Sequence, residues 1–276
     1  MASASAPLPS HSLPAERSRE IALLSSWPVV LTPEWAWGGS LGEGVRVCVL
    51  DSGVERGHRL VGDVEVSMAV VADEGGSTRV VEDGEGDAFG HGTAVASIVR
   101  SLAPASAIVS VRVLGPANRG SGEAMLAGLH WAVEQGYELI NMSLSTTRRE
   151  LIVLLHELTD SAYFRRTTVV ASAHNIALES YPWRFSSVIS VGSHEEPDPL
   201  RFYYNPAPPV EFYARGLDVE VAWKGGGTLR ASGNSFATAH VSGICALVLG
   251  KHPELTPFEL KSVLRLTAAN ATRAAP

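Results

Sequence analysis

The sequence predicts an α/β protein, a single doubly wound domain in which helices flank a mainly parallel central sheet. From Val45 onward, short β-branched apolar runs alternate with segments of helical periodicity, which is typical of doubly wound folds. Several of these runs are apolar at consecutive positions, as in strands with both faces covered by helices. A length of 276 residues with 45% apolar residues provides enough apolar surface for one large core or two small ones.

The predicted elements follow from these patterns in chain order. Strands are predicted at 45–50, 107–114, 138–144, 167–173 and 187–193. Helices are predicted at 93–102, 123–135, 148–164, 235–249 and 257–266. In the third helix, five apolar side chains recur at helical spacing and predict one buried stripe. Its members are Leu151, Leu154, Leu155, Leu158 and Ala162.

Two segments lie outside this alternation. Residues 1–26 are small, polar and proline-rich apart from a short helical pattern at 14–24, so we expect a flexible extension ahead of a folded domain at 27–276. Residues 71–90 carry six carboxylates, one arginine and five glycines, which favours a solvated surface hairpin or loop. A site for a cation or a basic substrate is the less favoured alternative there.

The composition excludes several classes of protein. The 22 basic and 29 acidic residues give a formal net charge of −7, which argues against a nucleic-acid partner. The sequence has no run of about 18 apolar residues, the length that a membrane span needs, and its start lacks the pattern of a secretory signal. Cys48 and Cys245 lie in apolar runs typical of buried thiols rather than of a disulfide framework. We therefore expect a cytoplasmic protein without a membrane partner.

Two motifs place a reactive side chain beside glycine. In VRVCVLDSGV, a buried strand carries Asp51 at its carboxyl end, where ligand sites form in open α/β sheets; taken alone, the segment is more simply a turn. In FGHGTAVASIV, glycines flank His91 just before an apolar helix. An imidazole there is suited to shuttle protons, while helix capping by Thr93 is the structural alternative.

A third motif places Ser235 after Gly233, at the start of the apolar helix in SGNSFATAHVSGICALVL. The free N–H groups and the positive end of the helix dipole suit a developing oxyanion, while a simple N-cap serine is the alternative. The order Asp, His, Ser along the chain is that of the subtilisin triad. With LDSGV, GHGTAVA and SGNSFATAHVSG, the sequence resembles the subtilase family of serine peptidases over residues 35–266.

The resemblance implies roles for individual residues. Ser235 is expected to be the nucleophile, His91 its general base and acid, and Asp51 the carboxylate that holds the imidazole. Asn175, in TTVVASAHN, corresponds to the family's oxyanion asparagine. Two segments correspond to those that hold an extended substrate backbone, namely Gly120, Ser121 and Gly122 with Ser143, Leu144 and Ser145.

Some residues depart from the family's pattern. Asn234, Phe236 and Ala239 replace Thr, Met and Pro around the nucleophile, and we expect altered helix packing with retained chemistry. Ser145 and His174 each replace a glycine at positions that resemble the walls of the family's P1 pocket, and we expect the added side chains to shrink or polarise it. For His174, contact with substrate, titration and a solvent-facing position are the alternatives. The short loop 176–180 is expected to bring Glu179 or Ser180 to the pocket floor, which predicts a restricted substrate range.

Two further differences concern metal and regulation. The helix after His91 lacks the insertion that binds calcium in many family members, so we expect no metal and no cofactor; the acidic stretch 71–90 is a weak candidate site. Fewer than 35 residues precede Trp35, from which we expect no inhibitory prodomain. Restraint is then expected from narrow specificity or from an inhibitor or partner in trans.

The predicted function is that of an intracellular serine endopeptidase that cuts a peptide or protein substrate, such as a precursor or leader peptide. A catalytically weak subtilase fold that serves as a binding or regulatory module is one alternative, disfavoured by the presence of all four catalytic residues. A transamidase or macrocyclase that uses the same acyl-enzyme is another. No insertion that would shield an acyl-enzyme from water is evident, so hydrolysis is preferred.

Overall fold

A computed structural model describes residues 10–21, 27–73 and 75–271 of the chain. Within the predicted extension, a short helix α1 spans Ala15–Arg19. The helical pattern predicted at 14–24 also includes residues 22–24, which lie outside the described residues. Helix α2, Pro33–Trp37, begins the folded region and is capped by Thr32, whose side chain accepts a hydrogen bond from the Trp35 N–H.

In the described part of the chain, nine strands form one sheet in the order β3-β2-β4-β1-β5-β6-β7-β9-β8. The strands are β1 Arg46–Asp51, β2 Val66–Ala72, β3 Thr78–Glu82, β4 Ala107–Arg112, β5 Leu139–Met142, β6 Thr168–Ser172, β7 Val188–His194, β8 Phe202–Tyr204 and β9 Phe212–Arg215. All neighbouring pairs are parallel except β2 with β3 and β8 with β9, at the two edges. A separate antiparallel hairpin is formed by β10, Val219–Trp223, and β11, Gly227–Ala231.

Five longer helices complete the fold of the described residues. They are α3 His91–Leu102, α4 Gly122–Glu134, α5 Ile152–Phe164, α6 Asn234–Lys251 and α7 Pro257–Thr267. The predicted α/β fold with a mainly parallel sheet is confirmed, and the predicted strands and helices are present with small shifts at their ends. The helix predicted from 148 begins instead with a 3-10 turn, Arg149–Leu151. None of the helices in the described residues is long and apolar enough to cross a membrane.

The alternating side chains of β1 divide the core into two layers. Val47 and Val49 pack in the layer that contains α3 and α6, whereas Cys48 and Leu50 pack in the layer that contains α4 and α5. All four are fully buried, which is why this strand reads as a continuous apolar run. The carboxyl end of β1 is therefore fixed by packing from both sides.

Helix α6 is buried around its whole circumference, because it lies between the sheet and α3. Every residue from Ser235 to Leu249 is buried. A helix that is apolar on all sides belongs in the interior of a protein. The start of this helix is therefore fixed by packing from Ser235 onward.

Two sequence predictions need correction. Leu154 of the predicted stripe is 49% exposed, whereas Leu155 is fully buried. Leu154 therefore lies at the edge of the helix face that packs on the sheet. In the acidic stretch, Asp83 and Asp87 are buried rather than solvated. Asp83 accepts hydrogen bonds from Arg112 Nε and Nη2, both at 3.0 Å, and thereby ties the β2–β3 hairpin to β4.

Candidate active site

Three elements bring the predicted triad residues to one edge of the sheet. Asp51 is the last residue of β1, His91 the first residue of α3, and Ser235 lies in the first turn of α6. The carboxyl ends of parallel strands open at the same edge, where ligand sites of α/β proteins form. Asp51 is fully buried, and Ser235 is 7% exposed, so the edge is a recessed site rather than an open surface.

His91 is held by Asp51 through its Nδ1 atom. This nitrogen lies 2.8 Å from Oδ1 and 2.9 Å from Oδ2 of the carboxylate. Burial alone would lower the pKa of His91, but the charge and hydrogen bond of Asp51 and the charge of Asp87 together raise it above its ordinary value. The geometry leaves Nε2 as the nitrogen available for proton transfer.

Asp87 is a buried carboxylate that organises the backbone around His91. It accepts five hydrogen bonds, from the Ser52 hydroxyl (2.7 Å), the N–H groups of Phe89 (2.9 Å), Gly90 (2.7 Å) and Thr93 (2.8 Å), and the Thr93 hydroxyl (2.5 Å). The Ser52 hydroxyl in turn accepts from Gly92 N–H at 3.0 Å, and Ser52 N–H donates to Asp51 Oδ1 at 2.7 Å. Asp87 thus links the Asp51 turn to the first turn of α3. The acidic sequence around Asp87 predicts a solvated loop, and this buried role is not predicted by any motif.

Ser235 and Ser143 are joined by reciprocal hydrogen bonds. The Ser235 hydroxyl donates to the Ser143 carbonyl oxygen, and the Ser143 hydroxyl donates to the Ser235 carbonyl oxygen, both at 3.2 Å. Asn141 donates to the Ser143 hydroxyl at 3.0 Å. These hydrogen bonds fix the first turn of α6 to the chain segment that follows β5.

Asn234 connects Ser235 to the Asn175 turn. Its N–H donates to Asn175 Oδ1 at 2.9 Å, which directs the amide oxygen of Asn175 toward the start of α6. Its side-chain Nδ2 donates to the carbonyl oxygens of Ala173 and His174 at 3.1 and 3.3 Å, and its Oδ1 accepts from the Ser193 hydroxyl. Asn234 is predicted from the sequence to alter only helix packing, whereas its hydrogen bonds fix the turn that carries Asn175.

A cleft of about 560 Å³ opens over these residues. Most residues predicted to bind or process substrate line it, namely His91, Gly120, Ser121, Gly122, Ser143, Leu144, Ser145, His174, Asn175 and Ser235. Asp51 lies behind His91, where it is fully buried. His174 uses its Nδ1 atom locally, 3.2 Å from both the N–H and the carbonyl oxygen of Ile176.

The prediction that Glu179 or Ser180 reaches the pocket floor is wrong. Neither is among the described residues that line the cleft. The Ser180 hydroxyl is fully buried and accepts a hydrogen bond from Trp183 Nε1 at 2.9 Å. Glu179 instead pairs on the surface with Arg149 at 2.8 Å and with the Tyr181 hydroxyl.

One wall of the cleft is apolar and was not anticipated from the sequence. It is formed by Trp223, Leu229, Ala231 and Phe236. The Phe236 ring lies 5.8 Å from the His91 ring, measured between centroids. The alternation of apolar residues in VEVAW, at 219–223, is a strand signal that could have located the hairpin bearing Trp223. Among the described residues, no group of three or more His, Cys, Asp or Glu side chains is arranged to hold a metal ion.

Comparison with known proteins agrees with this fold. A profile of the subtilase family matches residues 42–276, and the chain belongs to that family. It is 29% identical to Subtilisin DY of Bacillus licheniformis over 248 residues, 84% of this chain and 86% of that protein. It is 30% identical to M-protease of Shouchella clausii (strain KSM-K16) over 242 residues, 83% of this chain and 60% of that protein.

The fold has counterparts among solved structures. A cold adapted subtilisin-like serine proteinase superposes with a TM-score of 0.69 and 28% identity, covering 84% of this chain and 87% of the other. The protein is thus a subtilisin-like serine endopeptidase, and its substrates are peptides or proteins.

Proposed function

We propose that this endopeptidase cleaves peptide bonds through a triad of Ser235, His91 and Asp51. We also propose that it acts in the cytoplasm on a narrow set of substrates, such as a precursor or leader peptide. The observation that carries the triad is the contact of His91 Nδ1 with both carboxylate oxygens of Asp51, at 2.8 and 2.9 Å. This contact sets the tautomer that a general base needs.

The reaction begins at the Ser235 hydroxyl. It turns from the Ser143 carbonyl oxygen toward His91 Nε2 and attacks the scissile carbonyl carbon as the imidazole takes its proton. The imidazolium, stabilised by Asp51, gives that proton to the leaving amine, and an acyl-enzyme remains. Water then attacks the ester, His91 takes a proton from the water, and its return to Ser235 Oγ releases the acid product.

Asn175 and the N–H of Ser235 are the proposed oxyanion donors. With Asn175 Oδ1 accepting from Asn234 N–H, its Nδ2 remains as the donor for the substrate oxygen. The N–H groups in the first turn of α6 add the positive end of the helix dipole. One donor of this kind lowers the barrier by about 3 kcal/mol. Asn175→Ala is therefore expected to reduce kcat strongly and to change KM little.

The acyl half of the substrate is proposed to lie between two chain segments, Gly120–Gly122 and 143–145. Ser145 and His174 both line the cleft, and each brings a side chain to a position where the family's pattern has glycine. This crowding supports restricted specificity, and rapid degradation of casein at many residue types would contradict it. Cell fractionation tests the proposed cytoplasmic location, and recovery of the protein outside the cell would contradict it.

Labelling with a fluorophosphonate probe tests the proposed triad. We expect wild type to be labelled, Ser235→Ala to remain unlabelled, and His91→Ala to label far more slowly. Ser262→Ala is the matched control, since the hydroxyl of this helical serine donates to Phe258 O within α7, and it should label like wild type. A folded wild-type protein that resists the probe would instead favour a binding module. Resolution of the acyl-enzyme by an added amine in preference to water would favour a transamidase.

A further inference from the structure

Two residues at the ends of neighbouring strands tie the start of α6 to the sheet. Ser193, near the carboxyl end of β7, donates its hydroxyl hydrogen to Asn234 Oδ1. Gly216 directly follows β9, and its carbonyl oxygen accepts from Gly233 N–H at 2.8 Å. The two residues that precede the proposed nucleophile are therefore held by the ends of β7 and β9.

The surroundings of the Ser193 hydroxyl direct it toward Asn234. A Cβ atom placed on Gly216 would lie 2.7 Å from Ser193 Oγ and 2.8 Å from Gly233 O, so the backbone of Gly216 already packs closely against the hydroxyl. Within the described residues, the hydrogen bond to Asn234 Oδ1 is the one that this hydroxyl makes.

The amide of Asn234 satisfies its partners in one orientation. Its Nδ2 atom donates to the carbonyl oxygens of Ala173 and His174, at 3.1 and 3.3 Å, and carbonyl oxygens can only accept. Oδ1 is then left for a donor, which the Ser193 hydroxyl supplies. Ser193 thus stabilises the amide orientation that bonds the start of α6 to both residues before Asn175.

Asn175 depends on this arrangement because it is an exposed residue. Within the described part of the chain, its side chain makes one hydrogen bond, in which Oδ1 accepts from Asn234 N–H at 2.9 Å. The terminal torsion of an asparagine is broad and roughly two-fold, so without a well-placed N–H the amide can turn either its oxygen or its nitrogen toward the cleft. Only the nitrogen can donate to a substrate oxyanion.

We propose that Ser193 is a positioning residue for the oxyanion site. Through Asn234, its hydroxyl holds the turn at 173–175 so that Asn175 Nδ2 points into the cleft. The inference rests on the proposed function, in which Asn175 stabilises the oxyanion. Neither Ser193 nor Asn234 is among the described residues that line the cleft, so the effect reaches the substrate through Asn175. An oriented donor acts mainly in the transition state, where negative charge develops on the substrate oxygen.

Steady-state cleavage of one fluorogenic peptide by the full chain tests this role. Ser193→Ala is expected to lower kcat about tenfold, a fraction of the loss caused by removal of an oxyanion donor, and to leave KM nearly unchanged. In an Asn175→Ala background the same substitution should change kcat by less than about twofold, because the residue on which Ser193 acts is absent. A loss of equal size in both backgrounds would indicate a general structural effect and overturn the inference.

Ser190→Ala is the matched control on the same strand. Ser190 is 1% exposed, and its hydroxyl donates to Pro209 O at 2.8 Å; neither residue is among the described residues that line the cleft. The substitution should lower the free energy of unfolding, measured in urea, and leave kcat close to that of wild type. A loss of kcat like that of Ser193→Ala would contradict a specific role for Ser193.

Inhibition by a peptide aldehyde measures the oxyanion site without turnover. Ser235 Oγ adds to the aldehyde carbon, His91 takes the hydroxyl proton, and the aldehyde oxygen becomes a hemiacetal oxyanion. The inhibition constant should rise in Ser193→Ala by about the factor by which kcat falls, and it should rise further in Asn175→Ala. An unchanged constant in Ser193→Ala refutes the positioning role alone. An unchanged constant in Asn175→Ala, or a wild type that does not bind the aldehyde, refutes the proposed function on which the inference rests.

Discussion

At the scale of single residues, the environment of His91 joins structure to pH dependence. Two carboxylates act on it: Asp51 by direct contact and Asp87 through its charge. Both raise the pKa of His91 against the opposing effect of burial. Since the general base must be neutral, activity is expected to fall, as pH decreases, at a higher pH than an ordinary histidine would give.

Asp87→Asn is predicted to move the acid limb of the kcat/KM profile to lower pH. The substitution removes a negative charge that raises the pKa of His91, so the base stays neutral further into acid. It also turns an amide NH₂ toward groups that donate to Asp87, which should lower stability and kcat. The pH–rate profile separates the two effects, because a purely structural loss lowers the profile without moving it.

Asp198→Asn is the control for this charge change. It removes the same charge from an exposed loop, and Asp198 is not among the groups that shift the pKa of His91. An acid limb that stays in place in Asp87→Asn, or that moves equally in both variants, would contradict the electrostatic role of Asp87.

At the scale of elements, the β2–β3 hairpin depends on the ion pair between Asp83 and Arg112. The Asp83 side chain is fully buried, and Arg112 is 17% exposed. Burial would raise the pKa of Asp83, but the hydrogen bonds and charge of Arg112 and the backbone N–H groups of Glu85 and Gly86 lower it overall. The pair therefore stabilises the fold above the ordinary pKa of an aspartate, and this contribution is lost as pH falls through the lowered value.

Arg112→Met is predicted to reduce the free energy of unfolding at neutral pH by about 3 kcal/mol, because it leaves a buried carboxylate without its partner. Urea unfolding measures the difference, which should narrow in acid as Asp83 becomes protonated. Arg230→Met breaks the exposed pair with Asp218 and should have a much smaller effect, since solvent screens it. Equal losses in the two variants would contradict the assignment.

Helix α6 contains a buried histidine with a second pH effect. His240 is 3% exposed, and its Nδ1 lies 2.8 Å from Phe236 O. Burial, despite the hydrogen bond to Phe236, lowers the pKa of His240 from 6.5 to about 4. The unfolded chain therefore binds more protons than the folded protein between these pH values, and acid destabilises the fold.

His240→Gln is predicted to remove this part of the acid sensitivity. A difference between pKa values of 6.5 and about 4 corresponds to a loss of about 3 kcal/mol of wild-type stability on going from pH 7 to pH 4. Unfolding free energies at several pH values should fall less steeply in the variant. His130→Gln, at an exposed position on α4, should follow wild type, and identical slopes for all three proteins would refute the prediction.

At the scale of the whole molecule, the sequence was sufficient to predict the strands and helices that carry the motifs. Strand β1 is buried on both faces and α6 on all sides, so their apolar runs are long and end at chemically distinctive residues. The edge strand β8 is three residues long, too short for periodicity to detect. The hairpin of β10 and β11 lies outside the main sheet, and the strand–helix alternation gave no indication of it.

The candidate site likewise contains residues that a sequence motif predicts and residues that no motif predicts. Asp51, His91 and Ser235 could be predicted because each sits in a local motif. The contributions of Asp87, Asn234 and Trp223 come from contacts with distant parts of the chain, such as Ser52 with Asp87 and Ser193 with Asn234. The error at Ser180 has a local cause: its hydroxyl accepts from Trp183 Nε1, three residues further along the chain, and no sequence pattern marks this contact.

The burial of α6 from Ser235 to Leu249 has a consequence for how the enzyme loses activity. Elements at the centre of a core open only with the whole domain, so the nucleophile has no local route to disorder while the rest of the chain stays folded. Heat or denaturant should therefore abolish activity and unfold the core in a single transition. Mutations that erode the interior would shorten the lifetime of the active enzyme and leave the turnover of each surviving molecule intact.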